Sequence, residues 1–226
     1  MRNVNDLTPP QKAAKTPFVW IDCEMTGLDP AVDELVEVAV IVTDSVLHPL
    51  APGIEVVIKP SEAALEQMDD FVRDMHTASG LLERLQGGMD LQDAQKVIVD
   101  YLKEIVPEPG TALLAGNSVG QDQRFLRAYM PEVTDHLHYR IIDVSTVKEL
   151  AKRWYPKAYT SAPEKNGTHR ALLDIQDSII ELEYYRRALF PAQQSEEPGH
   201  YPSLAADVMA QARESFPGFD GASPEG

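Results

Sequence analysis

Three β-rich runs, at residues 18–25, 34–44 and 53–60, follow one another with only short connections between them, and no feature restricts the fold more. A parallel crossover needs roughly a dozen or more residues, usually a helix, so the short connections predict antiparallel hairpins. "ELVEVAVIVTD" (34–44) alternates and is rich in β-branched residues, and "GIEVVIKP" (53–60) is closed by Pro60. The pattern then turns helical. Ser61 stands at a capping position before a helix over 61–68, and "HTASGLLERLQGG" (76–88) contains a short helix stopped by its glycines. Residues 90–106 place Leu91, Ala94, Val97, Ile98, Tyr101, Leu102 and Ile105 on one helical face. Strands at 111–116 and 138–145 alternate with helices at 117–130, 146–154 and 169–190, and 155–168 reads as a loop. Ser118 and Gln121 have capping-box spacing at the start of the 117–130 helix. Three strands followed by alternating helix and strand predict an α/β fold, a mixed sheet with helices on its faces.

The ends differ from this middle. Residues 1–16 are polar and read as a flexible arm, 17–190 as the folded domain, and 191–226 as a largely flexible acidic tail rich in Pro and Gly. Within the tail, "SLAADVMAQARESF" has the character of one helix. The chain carries 20 basic against 36 acidic residues, a net charge of −16, which argues against broad electrostatic binding to duplex DNA or anionic membranes. A short nucleic acid held at a metal site stays compatible with that charge, because bound cations reverse the local field. No apolar run is long enough to span a membrane, and the first residues lack the apolar core of a secretory leader. Cys23 is the single cysteine, so no intramolecular disulfide forms. These features fit a cytoplasmic location.

The first strand, "VWIDCEM" (19–25), holds two carboxylates inside an apolar run. Side chains alternate along a strand, so Trp20, Asp22 and Glu24 share one face and Val19, Ile21 and Cys23 the other. Two acids one pleat apart repel and resist desolvation unless a cation lies between them. Taken alone, the pair also fits a strand end that meets water. Asp122 falls about one turn into the helix after "AGNS", where α/β folds tend to hold ligands, although an acid there also simply complements the helix dipole. In "GTHRALLDIQD", Thr168 can cap the last long helix and His169 stands at its start. Asp174 follows about a turn and a half later, and Asp177 reads as solvated. His169 alone also fits a capping or surface histidine.

Together, "DCEMTGLDP" (22–30), "GNSVGQD" (116–122) and "HRALLD" (169–174) resemble the three motifs of the DEDD exonuclease superfamily, histidine subtype. "MDDFVRDMHTASGLLERL" (68–85) and "HYRIIDVSTVKELAKRWYP" (138–156) narrow the resemblance to the oligoribonuclease family, over residues 17–190. The resemblance implies an RNase H-like (DnaQ-like exonuclease) fold, a mixed five-stranded sheet flanked by helices. It implies two divalent cations, Mg²⁺ or Mn²⁺, held by Asp22, Glu24, Asp122 and Asp174, with His169 as general base. A neutral imidazole, with a reference pKa near 6.5, suits proton acceptance near neutral pH. Leu28 matches a wedge against the bases. Phe71 stands where relatives carry a stacking tryptophan, though it also fits a core position under a loop. His76 matches a substrate-side residue, and also fits the opening of a helix. Ser118, with Arg140 from a second subunit, matches a cap on the substrate's 5′-phosphate, and His138, Tyr139 and Ser145 are further candidates for it. Arg140 also fits a surface ion pair. The cap implies a homodimer.

The function so implied is a 3′→5′ exoribonuclease that cuts very short single-stranded RNA, dinucleotides favoured, to nucleoside 5′-monophosphates. A proofreading-type DNA exonuclease, or a general single-strand one, would share the metal site and differ in the clamp. A non-catalytic RNA-binding protein on the same fold would be expected to lack one of the five motif residues, and all five are present.

Overall fold

The computed structural model describes residues 16–164, 170–190 and 199–215. Strands β1 (Phe18–Met25), β2 (Leu35–Thr43), β3 (Ile54–Val57), β4 (Leu113–Gly116) and β5 (His138–Asp143) form one sheet in the order β3-β2-β1-β4-β5. β1 and β2 pair antiparallel, as do β2 and β3, as their short connections predict. β4 runs parallel to β1, and β5 parallel to β4. Among the described residues the α-helices of this unit are α1 (Glu62–Gln67), α2 (Asp70–Ala78), α3 (Leu81–Arg84), α4 (Leu91–Ile105), α5 (Gly120–Tyr129), α6 (Pro131–His136), α7 (Val144–Trp154), α8 (Pro156–Thr160) and α9 (Ala171–Leu189).

β2 is buried at every position, so its alternation sorts residues between two cores rather than between core and water. Val19, Ile21, Cys23, Val38, Val40 and Val42 face a cluster supplied by α4, α5 and α6, including Ile98, Leu102, Phe125, Leu126 and Val133. Trp20, Ala39 and Ile41 face Val144 of α7 and Ala171 and Ile175 of α9. The Trp20 indole N–H is satisfied by Thr43 Oγ1 at 3.0 Å, which lets the largest side chain of the strand lie fully buried.

Several local expectations are met. Ser61 caps α1 by accepting from the Ala64 N–H, and Gly80, at φ 76°, breaks the helical run before α3. Others are corrected. Residues 70–78 form a helix of their own, capped by Asp69, so His76 lies near a helix end rather than at an opening. On α4, Val97 is exposed and Val99 is buried, because the core stripe is Ala94, Ile98 and Leu102, flanked on its other side. α5 begins only at Gly120 with no side-chain cap. Ser118 is left outside it at φ 54°, so the capping box with Gln121 does not form. Within the expected loop 155–168, Pro156 opens the short helix α8, its missing N–H costing nothing at a first helical position. Asp177 is buried rather than solvated. The Thr168 cap lies outside the described residues.

β1 pairs with β4 only from Phe18 to Trp20, after which the two strands part. The C-terminal ends of the three parallel strands β1, β4 and β5 therefore open a crevice on one edge of the sheet, the place where α/β sheets hold ligands. A Cβ on Gly116 would stand 3.0 Å from the Ile21 carbonyl, so the glycine permits the close backbone approach at which the ladder ends. The chain divides into two compact units, one ending at Leu189 and one beginning at Phe190. In the second, the expected helix is present and starts earlier, as α10 (His200–Ser215).

Candidate active site

Asp22 and Glu24 project from the same face of β1, and Asp174 comes down on them from the first turn of α9. One oxygen from each of the three lies within 4.8 Å of the others. Asp122, on the first turn of α5, docks beside them, its Oδ1 accepting the Cys23 N–H at 2.9 Å. That carboxylate takes over where β4 no longer pairs with β1. Three of the four predicted acids thus share a common point, and the fourth is fixed to the amide next to Asp22.

The cluster is electrostatically uncomfortable by itself. Two ionised carboxylates at such a distance repel by roughly 3 kcal/mol at an effective dielectric of about 20. Burial, then the charges of Asp122, Glu24 and Asp174, hold the Asp22 carboxyl well above the usual range. Burial and the neighbouring Glu37, Asp174 and Asp122 push Glu24 up to about 8. Burial lifts Asp122 to about 6 against the pull of the Cys23 N–H. Among the described residues no lysine or arginine pairs with Asp22 or Glu24, and the basic group beside them is His76, its Nδ1 3.9 Å from Glu24 Oε2. Mutually repelling, oxygen-only donors, Glu24 and Asp122 buried and Asp22 and Asp174 half-buried, fit hard divalent cations and little else.

His76 is fully buried, its Nε2 2.8 Å from the Met25 carbonyl oxygen, so it braces the end of β1 from behind Glu24 rather than lining an open surface. The general-base assignment falls on His169, which lies outside the described residues. The start of α9 beside it is held by a device that sequence reasoning missed. Glu37 of β2, in register with Glu24, accepts the Ala171 N–H at 3.4 Å, and Arg84 of α3 clamps Glu37 at 2.9 Å and Glu55 at 2.5 Å. A buried strand acid thus caps a helix distant in sequence. Its only signal was an acid in the middle of a β-branched run.

Two apolar side chains are held out into water. Leu28 is 71% exposed although its turn is tightly tied, with Gln121 Nε2 donating to the Leu28 carbonyl at 2.6 Å and the Asp29 N–H donating to Asp33 at 2.9 Å. Phe71, near the start of α2, is 78% exposed, which excludes the core position considered for it. Ser118 and Ser145 meet, their hydroxyls 3.0 Å apart, with the Ser118 N–H donating to Ser145 Oγ at 2.8 Å and to Asp143 Oδ1 at 3.0 Å. His138, Tyr139 and Arg140 stand on the outer strand β5. The two rings stack at 4.5 Å, and the guanidinium lies 5.4 Å from the centre of the exposed Tyr139 ring. Among the described residues no hydrogen bond joins these three to Ser118 or Ser145 of the same chain.

Comparison with known proteins agrees with this geometry. Residues 19–182 match the exonuclease family. The chain is 56% identical over 195 residues to the oligoribonuclease of Streptomyces griseus, covering 86% of this chain and 97% of that one. It is 48% identical to the oligoribonuclease of Mycobacterium tuberculosis strain H37Ra, covering 86% and 89%. Among solved structures, Escherichia coli exonuclease I, in a zinc-bound complex with single-stranded DNA, superposes with a TM-score of 0.60 at 15% identity. The overlap covers 87% of this chain and 45% of that one, and exonuclease I of Methylocaldum szegediense gives 0.54 at 18%, covering 88% and 44%. This chain therefore spans less than half the length of these structural neighbours, with which it shares the RNase H-like, DnaQ-type fold. With a matching exonuclease profile and relatives close over nearly their whole length, the chain belongs to the oligoribonuclease family of exonucleases.

Proposed function

We propose that the protein is a 3′→5′ exoribonuclease that hydrolyses very short single-stranded RNA, dinucleotides above all, to nucleoside 5′-monophosphates. The observation that carries this reading is the convergence of Asp22, Glu24 and Asp174, one oxygen of each within 4.8 Å of the others, with His76 behind Glu24. These three, with Asp122, would hold two divalent cations, Mg²⁺ or Mn²⁺. When bound, such ions supply Lewis-acid stabilisation of charge on the attacking and leaving oxygens of a phosphodiester. The chain's own residues do the rest. His169 accepts the proton of the attacking water, and His76 forms the floor of the pocket behind Glu24. Leu28 wedges against the bases, and Phe71 offers a ring for stacking, worth roughly 1–3 kcal/mol per base. Holding apolar groups in water on tied backbone costs free energy that a base would offset, which supports both assignments.

Ser118 and Ser145 cap the terminal 5′-phosphate, together with Arg140, His138 and Tyr139 of a second copy in a homodimer. An exposed edge strand bearing a planar guanidinium suits such a reach. We place the protein in the cytoplasm, with the catalytic domain at 17–190 and the tail as an appendage. No helix among the described residues is long and apolar enough to cross a membrane.

The test is product analysis on 5′-phosphorylated RNAs of graded length, with and without divalent metal. Mononucleotides should appear fastest from the dinucleotide and only with metal. His169→Ala should retain Mn²⁺ and substrate binding while losing most turnover. Equal rates on a dinucleotide and a long strand would favour a general exonuclease, and metal-dependent hydrolysis absent altogether would leave only RNA binding.

A further inference from the structure

One continuous set of hydrogen bonds joins the Ser118–Ser145 pair to the backbone of Asp174 in the acidic centre, and Asn117 is its middle member. Asn117 follows the last residue of β4. Its Nδ2 donates to Ser178 Oγ at 2.8 Å and to Glu181 Oε2 at 3.2 Å. Its Oδ1 accepts from Ser145 Oγ at 3.2 Å. Ser178 Oγ in turn donates to the backbone carbonyl of Asp174 at 2.8 Å, and Lys148 Nζ of α7 pairs with Glu181 Oε1 at 2.9 Å. Asp174, Ser178 and Glu181 are four and three residues apart on α9, so one helical stripe presents both the acid of the centre and the two groups that hold Asn117. Ser178 and Glu181 are each 5% exposed, where hydrogen bonds are strong and costly to leave unmade.

The amide is used on both sides, and its orientation is set by Glu181: a carboxylate oxygen only accepts, so the NH₂ faces α9 and Oδ1 faces Ser145. The direction of the protons follows. Ser145 has one hydroxyl proton, and it goes to Asn117. With that proton committed, the Ser118 hydroxyl is the donor between the two serines, and it is the one that can turn to donate a hydrogen bond to a phosphate oxygen. Ser118 itself is held at φ 54°, a conformation costing a non-glycine residue about 1–3 kcal/mol, by the Asp143 and Ser145 acceptors on its N–H.

We propose that Asn117 is a positioning residue: it fixes the separation between the Ser118–Ser145 phosphate cap and the Asp174 side of the acidic centre, and thereby the substrate length that the site prefers. This rests on the reading of the site as a capped exoribonuclease. A residue that merely supported the fold would, when removed, lower activity on every length alike. A spacer acts on the shortest substrate, which must satisfy cap and centre at once.

The experiment compares wild type, Ser118→Ala, Asn117→Ala and Ser178→Ala in the full chain. The readouts are kcat and KM on a 5′-phosphorylated RNA dinucleotide and a pentanucleotide, with Mn²⁺ affinity by calorimetry and thermal unfolding alongside. For Asn117→Ala, KM for the dinucleotide should rise about tenfold, the loss of roughly one buried hydrogen bond or slightly more. The ratio of dinucleotide to pentanucleotide kcat/KM should fall by a similar factor, with Mn²⁺ affinity within about twofold of wild type. Ser178→Ala should move the ratio the same way by a smaller factor. An unchanged ratio in folded Asn117→Ala overturns the inference, and should that variant fail to fold, an unchanged ratio in Ser178→Ala does so. A wild type without preference for the dinucleotide refutes the capped-site reading itself. A preference lost in Ser118→Ala but kept in Asn117→Ala refutes the role of Asn117 alone.

Discussion

Replacing Glu24 by glutamine should stabilise the metal-free protein, and by an amount that grows with pH. In the unfolded chain Glu24 ionises near 4.5, whereas in the folded chain its environment pushes it up to about 8. Between those values the folded state binds the extra proton, so stability falls as pH rises. Each pH unit costs about 1.4 kcal/mol, which sums to under about 1 kcal/mol at pH 5 and about 3 kcal/mol at pH 7, levelling off near pH 8. Solvent screening reduces this little, because the side chain is 11% exposed. Glutamine has no such proton to lose, and its neutrality also eases Asp22 and Asp122. Urea unfolding in EDTA at pH 5, 6, 7 and 8 reads the difference directly. The variant should gain on wild type along that series, by about 3 kcal/mol at pH 7, which thermal unfolding would show as roughly 6–12 °C in Tm for a chain of this size. Added Mn²⁺ should close the gap by stabilising wild type more. Parallel stability curves, or a wild type more stable than the variant at pH 7 without metal, would refute the picture of a strained acidic cluster.

Other outcomes follow from the same geometry. Arg84→Met leaves Glu37 buried without its clamp and should cost about 2–3 kcal/mol, below the 3–5 of a fully buried pair because Arg84 is partly exposed; urea unfolding measures it. The same variant should lose turnover more than KM, since Glu37 holds the start of α9. Phe71→Ala, at an exposed position, should leave Tm within a degree or two while raising KM for short RNA by roughly tenfold, the worth of one stacking contact. Arg140→Ala should abolish the preference for dinucleotides over longer strands, and mixing it with a His169→Ala chain should restore that preference in part if Arg140 serves the neighbouring site.

How much of this was legible beforehand differs residue by residue. The side shared by Asp22 and Glu24 followed from strand alternation alone, because a pleat has period two whatever surrounds it. The antiparallel start of the sheet followed from connection lengths, and its mixed character from the later alternation of helix and strand. The meeting of Asp22 with Asp122 and Asp174 did not follow from spacing, since it depends on where two helices cross a sheet. Only the resemblance to known nuclease motifs joined them. Glu37, Arg84 and Asn117 escaped for the same reason, each acting through a partner far along the chain. Local errors have local causes. Ser118 looked like a cap because its spacing to Gln121 is right, yet its backbone is turned to the left-handed region by Asp143 and Ser145. Val97 and Val99 are equally apolar, and only the angle at which α4 lies on the sheet chooses between them. Asp177 reads as a surface acid until α9 is seen to be packed on two sides.

The parting of β1 from β4 after Trp20 has a further consequence. In the inner strands of the sheet backbone hydrogens are held by a neighbouring strand, and their exchange with solvent is limited by large-scale opening. The Cys23 hydrogen is held instead by the Asp122 side chain. Its deuterium uptake follows the docking of a single helix, and one amide signal can therefore register the readiness of the catalytic centre while the rest of the sheet stays silent.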